Sequence, residues 1–197
     1  VYLLTERSGG HQLLIDAADE PDAIAELLAS AAGDADVPPR LALILTTHSH
    51  HDHIGALAAV ASAHPQAQTL AGAADADATT AATGVPIARR LEHGDSIALG
   101  ELELHVIGLR GHTPGSVAVA YSEPDQQTHV FTGDSLFPGG VGNTNHDSGR
   151  FDSLFSDVVR RVFEVYRVDA IVHPGHGAAT TLSSERPHLA EWEARGW

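Results

Sequence analysis

A chain of 197 residues with 43% hydrophobic content is long enough to close one core, so it is read as a single domain over residues 1–197. The formal charge is −15 and all eleven basic residues are arginines scattered along the chain, which leaves no basic track for phosphates and argues against nucleic acid as a substrate. The absence of cysteine removes disulfides, cysteine-bound zinc and a thiolate nucleophile, and no stretch reaches the ~18 apolar residues of a membrane span. The first residue is Val1 and no methionine occurs, so the N-terminus is read as trimmed; with no leader visible, the protein is expected in the cytoplasm.

Residues 1–5 and 12–16 are apolar runs joined by Glu6-Arg7-Ser8-Gly9-Gly10, a predicted hairpin. Pro21 opens a predicted helix to about residue 31, with Ile24, Leu27 and Leu28 at helical spacing and Gly33 as its stop. After Pro38-Pro39, residues 41–46 form an apolar run too short for a helix and are read as a buried strand. At its end stands Thr47-His48-Ser49-His50-His51-Asp52-His53. In an extended segment, alternate spacing turns His48, His50 and Asp52 to one side, while His53 points elsewhere and can serve a second centre. Imidazole and carboxylate together suit zinc, iron or manganese. Residues 54–63 are predicted to continue as a helix, and the alanine-rich stretch 71–84 is read as a surface helix without chemistry.

The second half alternates again. Strands are predicted near residues 96–99, 101–109, 116–121, 129–132 and 170–172, with helices over about 152–166 and 187–194. Three of these strands run into glycine- or proline-containing turns that carry a further candidate ligand: Gly111-His112-Thr113-Pro114-Gly115-Ser116, Thr132-Gly133-Asp134-Ser135 and His173-Pro174-Gly175-His176-Gly177. Such turns hold side chains rigidly yet leave them accessible. Strand-rich stretches punctuated by single helices, repeated in each half, predict an α/β sandwich of two sheets with helices outside.

In order and spacing, H-x-H-x-D-H, G-H-T-P-G-S, T-G-D-S-L-F and P-G-H-G resemble the metallo-β-lactamase superfamily, and within it the small glyoxalase-II-like metallohydrolases. The resemblance begins at Leu13-Leu14-Ile15-Asp16, similar to the family's early strand ending in Asp, and covers nearly the whole chain. It implies an αββα sandwich with the metal site at the edge between the two sheets. It further implies two divalent metals, zinc foremost with iron or manganese as alternatives: one on His48, His50 and His112, the other on Asp52, His53 and His176, with Asp134 bridging. His51 falls at the family's variable position and is read as pocket rim, and His173 as a strand-end or supporting residue.

Two cations close together lower the pKa of a water held by both, so the expected reaction is attack of a metal-bridging hydroxide on an acyl carbon without a side-chain nucleophile. Asp52 is the expected catalytic carboxylate, holding the proton of that hydroxide. A thioester or ester is the expected small-molecule acyl substrate, because a thiolate leaves without full protonation. The glycine-rich Phe137-Pro138-Gly139-Gly140-Val141-Gly142-Asn143-Thr144 segment follows Asp134, so Gly140, Gly142, Asn143 and Thr144 are candidate substrate contacts. Two departures bear on the resemblance: the protein is expected to lack the helical domain that supplies thiol-cofactor contacts in larger glyoxalase II enzymes, and Gly142-Asn143-Thr144-Asn145 stands where persulfide dioxygenases of the superfamily have Gly-Arg-Thr-Asp. The alternatives are a mononuclear iron persulfide dioxygenase-like oxidoreductase, a lactonase, a non-catalytic metal-binding module and, ranked below these, a β-lactamase.

Overall fold

The predicted hairpin forms: β1 (Tyr2–Thr5) and β2 (His11–Ile15) pair antiparallel, with Tyr2 opposite Ile15 and Thr5 opposite Gln12. The computed structural model describes residues 1–122 and 127–196. It divides into two units, Val1–Leu91 with Ser96–Glu103 and Glu92–Asp95 with Leu104–Trp197.

In the first unit, Pro21 begins helix α1 (Pro21–Ser30), which a single 3-10 turn extends to Gly33. The chain then re-enters the sheet as β3 (Arg40–Thr46), parallel to β2. Two short helices follow, α2 (His51–Ile54) and α3 (Leu57–Ala63), in place of the one predicted over 54–63. Strand β4 (Gln68–Gly72), helix α4 (Ala76–Thr83) and strand β5 (Arg89–Leu91) complete the order β1-β2-β3-β4-β5, parallel from β2 to β5. Strand β6 (Ser96–Leu99) also belongs to this unit. The crossover helices exist because parallel neighbours cannot be joined by a tight turn. They seal one sheet face: Leu14 and Ile44 pack with Ile24, Ile54, Leu57 and Val60, each such buried side chain contributing about 1.5–3 kcal/mol relative to exposure.

In the second unit, β7 (Leu102–Gly108, of this unit from Leu104), β8 (Val117–Tyr121) and β9 (His129–Gly133) run antiparallel in succession. A two-residue pairing, β10 (Leu136–Phe137) with β11 (Gly140–Val141), makes a small separate hairpin. Helix α5 (Ser148–Val158) follows, capped by Asp147 and continued by a π-helical turn over Val159–Phe163. Strand β12 (Ile171–Pro174) then lies parallel to β9, with β13 (Thr180–Thr181) antiparallel beyond it. Helices α6 (Leu182–Glu185) and α7 (Leu189–Arg195) end the chain, and Trp192 anchors the second of them against Phe163, ring centroids 6.3 Å apart. Helix residues Leu154, Val158, Val162 and Trp192 share one core with Ile107, Ala118, Val130 and Val172 of the strands.

This topology places the candidate ligands. In a parallel sheet all strands end on one edge, and the crevice outside those carboxyl ends is where such folds bind ligands. Asp16 follows β2, the histidine run follows β3, and Asp75 follows β4. In the second unit, two antiparallel steps make β7 run the same way as β9, and β12 is parallel to β9. The turns bearing His112, Asp134 and His176 therefore leave one edge of their sheet.

Candidate functional site

The cluster in the first unit is organised around Asp16. This residue is 4% exposed and takes the left-handed conformation, φ 59°, at the end of β2, a strained geometry that a non-glycine residue keeps only where its surroundings hold it. Its Oδ1 accepts from the Thr47 backbone N–H at 2.7 Å, and its Oδ2 accepts from Thr47 Oγ1 at 2.8 Å and from His53 Nδ1 at 2.8 Å. Because the Thr47 hydroxyl donates to Asp16, its oxygen accepts from His48 Nδ1 at 3.1 Å. Both His48 and His53 therefore carry their proton on Nδ1 and turn the Nε2 lone pair outward, which is how supporting carboxylates orient metal-binding imidazoles. His48 Nε2 lies 3.1 Å from His50 Nδ1, and the His48 and His53 ring centroids are 4.0 Å apart. Asp52 Oδ2 stands 4.0 Å from His53 Nε2, its side chain 44% exposed.

One expectation about this run is corrected. His50 is extended, φ −70° and ψ 147°, but helix α2 begins at His51, so Asp52 and His53 sit on a helical turn rather than in alternation along a strand. The turn closes when His53 N donates to His50 O at 3.0 Å, and helical geometry swings Asp52 and His53 round within that turn. His51 is 98% exposed, consistent with a rim position.

In the second unit, one oxygen joins the remaining candidates: Asp134 Oδ2 is 3.7 Å from His112 Nε2 and 3.7 Å from His176 Nε2. His112 Nδ1 donates to the Asn143 carbonyl at 2.7 Å, so here too Nε2 carries the lone pair. Gly142 explains why the glycine-rich segment must be glycine at that point. A Cβ there would stand 1.7 Å from the Asp134 carbonyl oxygen and 3.5 Å from His112 Nδ1, so the segment packs flat against the backbone of one ligand while its next residue holds another. Gly140 lies in β11, Asn143 offers its carbonyl to His112, and Thr144 is 1% exposed. The segment thus supports ligand side chains directly.

These donors fit a divalent transition metal. They are imidazole nitrogens, with the opposite ring nitrogen already committed at His48, His53 and His112, alongside the carboxylates of Asp52 and Asp134, the mixed set that suits zinc, iron or manganese. The serines beside the candidate ligands are not placed as nucleophiles: Ser135 is 1% exposed, and Ser116 Oγ is engaged by the Thr113 N–H at 3.1 Å and Thr113 Oγ1 at 2.6 Å.

Other residues carry more of the architecture than their sequence context suggests. The alanine-rich stretch is not a bare surface helix: Asp75, 1% exposed, accepts from the Ser49 N–H at 3.0 Å and ties down the histidine loop. An Asp just before a helical run normally reads as its cap, which hides this use. Arg150 and Asp157 of α5 bond the loop carrying His112, and nothing in their spacing announces it. His173 stacks on Phe131 at 4.7 Å and bonds His129 Nδ1 at 2.9 Å, so its strand-end structural reading is the one observed; burial, with the nearby His129, holds its pKa below the usual imidazole value. Beside the first cluster, burial and the charge of Asp16 push the Tyr2 phenol up.

Comparison with known proteins agrees with this geometry. Residues 1–186 match the model of the metallo-β-lactamase superfamily. The chain is 39% identical over 206 residues to a hydroxyacylglutathione hydrolase of Anaeromyxobacter dehalogenans, covering 98% of this chain and 71% of that protein. It is 28% identical to the human mitochondrial persulfide dioxygenase ETHE1, over 94% of this chain and 68% of that one. Among solved structures, TTHA1623 in a di-iron-bound form superposes with a TM-score of 0.68 at 31% identity, covering 94% of this chain and 90% of that one. With its two helix-flanked sheets and its His/Asp clusters, the chain belongs to the metallo-β-lactamase superfamily and is a metal-dependent hydrolase of that fold.

Proposed function

We propose that this protein hydrolyses a small thioester or ester, with two divalent metals, zinc foremost, held by His48, His50, Asp52, His53, His112, Asp134 and His176. One observation carries the reading: a single Asp134 oxygen lies equally far from His112 and His176, two histidines that the family pattern assigns to different metals. By the family pattern, Asp134 would then be the shared ligand, with His48, His50 and His112 holding one metal and Asp52, His53 and His176 the other. When bound, such a pair makes a water nucleophilic at neutral pH and polarises an acyl oxygen.

The chain's own residues supply position and proton handling. Asp16 holds His48 and His53 in one tautomer, and the Asn143 carbonyl does the same for His112. Asp52, partly open to solvent, accepts and orients the proton of the attacking water. The absence of cysteine, the engagement of the Ser116 hydroxyl by Thr113 and the burial of Ser135 favour water over a side chain as nucleophile. A thioester is preferred because its thiolate departs without a general acid. The second reading is oxidation of a persulfide, favoured by the 28% identity to the dioxygenase over nearly the whole chain; Asn143 in place of the arginine expected there weighs toward hydrolysis.

Metal analysis and turnover test this together. Two zinc equivalents with hydrolysis of a glutathione acyl thioester, lost on chelation and restored by metal, are expected; one iron with oxygen consumption on a persulfide would replace the reading. Asp134→Ala should lose both metal equivalents and at least ~10³-fold in kcat/KM, whereas His176→Ala should retain one equivalent. Equal metal content in the two variants would contradict a shared Asp134.

A further inference from the structure

Helix α5 grips a single loop at two places. Arg150, in its first turn, donates through Nε to the Gly111 carbonyl at 2.7 Å and through Nη2 to the His112 carbonyl. Two turns later on the same face, Asp157 is 4% exposed and accepts from the Arg110 backbone N–H at 3.1 Å and from Arg110 Nε at 2.9 Å and Nη2 at 3.0 Å. The backbones of Arg110, Gly111 and His112 are thus all committed to one helix. Gly111, at φ 145°, lies so close that a Cβ would stand 2.4 Å from the Arg150 carbonyl oxygen and 2.6 Å from Leu154 Cβ. Arg150 is itself set from behind, its N–H donating to the capping carboxylate of Asp147 at 2.9 Å.

Two carbonyls of adjacent residues, both accepting from one side chain, call for donors in a fixed fork; lysine offers one compact charge on a flexible stem instead. We propose that Arg150 is a positioning residue for His112: by fixing the carbonyls on both sides of the His112 N–Cα segment, it holds the imidazole where Nδ1 reaches the Asn143 carbonyl and Nε2 faces Asp134. Its consequence for metal rests on the dinuclear reading above, while its effect on His112 does not.

The experiment titrates zinc into metal-free wild type, Arg150→Gln and Arg150→Lys against a chromophoric chelator. In the same metal-free samples, two-bond ¹⁵N–¹H imidazole correlations read the His112 tautomer. Arg150→Gln should weaken one of the two zinc equivalents ~10–100-fold and leave the other within about twofold, the size of loss typical when support of a ligand is removed. The Nδ1–H tautomer of His112 should give way to a mixture, and kcat should fall with KM unchanged. Arg150→Lys, which keeps the charge and one donor, should lie between wild type and Gln. A residue that only stabilised the fold would lower the melting temperature without changing the ratio of the two zinc affinities or the tautomer. Unchanged affinities with a retained Nδ1–H tautomer in Arg150→Gln, or in Arg150→Lys if the first variant does not fold, would overturn the proposal. Wild type that bound no zinc would sink the dinuclear reading instead, and the tautomer would still decide the role of Arg150.

Discussion

In the first unit, four candidate ligands come from six consecutive residues, His48 to His53, and one buried side chain, Asp16, orients two of them. In the second, three candidates arrive from three separate strand ends and are set by backbone: the Asn143 carbonyl, the flat packing of Gly142 on Asp134, and the loop carbonyls bonded to Arg150. The contiguous cluster is cheap to encode but hangs on a side chain that any substitution alters. The dispersed cluster needs the whole topology, yet, the Arg150 side chain apart, its immediate supports are backbone atoms that most substitutions leave in place. The second cluster should therefore be vulnerable at its glycines and the first at its carboxylate.

Gly142→Ala should break the second cluster hardest. The added Cβ would meet a backbone oxygen at 1.7 Å, so Asp134 must move by an ångström or more, a displacement that costs ~10²-fold in catalysis when it reaches a catalytic group. In imidazole NMR of the metal-free variant, His112 signals should shift, while those of His48 and His53 should stay. A variant with wild-type kcat/KM would show that the glycine contact does not set Asp134.

Asp16→Asn should act on the other cluster with a somewhat smaller effect. The replacement can still accept from Thr47 N–H, but an amide group in place of Oδ2 faces two donors, Thr47 Oγ1 and His53 Nδ1. Zinc affinity should fall ~10–100-fold, and urea unfolding should show a loss of about 2–4 kcal/mol from the mismatched buried bonds. The His53 tautomer should change and the His112 tautomer should not; the reverse pattern would mean that the two clusters are not supported separately.

The same contrast explains what could be read in advance. The His48 to His53 run was legible because its ligands are neighbours in sequence, and His112, Asp134 and His176 were legible because each ends a recognisable strand in a glycine- or proline-containing turn. Strand alternation was the wrong geometry for Asp52 and His53, since a four-residue helix carries little pattern of its own. Strand β4, which enters the alanine-rich stretch only at Ala71 and Gly72, and Asp75 within it went unread because burial there, complete at Ala71, is decided by tertiary neighbours. Arg150, which donates to carbonyls, and Asn143, which accepts through its own, were invisible as supports because a carbonyl has no residue type.

The smallest expected effect lies in the first unit away from its ligands, at the β1–β2 turn. Glu6 accepts from Ser8 N–H at 2.6 Å, Ser8 Oγ at 2.5 Å and Gly9 N–H at 2.8 Å, with His11 Nδ1 at 3.3 Å. These bonds, the Ser8 hydroxyl foremost, hold its carboxyl at about 2 against an ordinary 4.5. A carboxyl with a depressed folded-state pKa binds fewer protons folded than unfolded between those values, so stability rises with pH across that window. The contribution is complete above about pH 4.5 and is lost as the pH falls toward 2. Glu6→Gln should leave zinc affinity and kcat/KM within about twofold of wild type, because the bonds of this buried carboxylate stay within its own turn and reach no candidate ligand. Its stability deficit in urea should be constant near neutrality and shrink through acid. A deficit equally large at pH 6 and near pH 2 would mean that shape, and not ionised Glu6, holds the turn; a loss of zinc affinity would mean that the first cluster depends on more of its unit than Asp16 and Asp75.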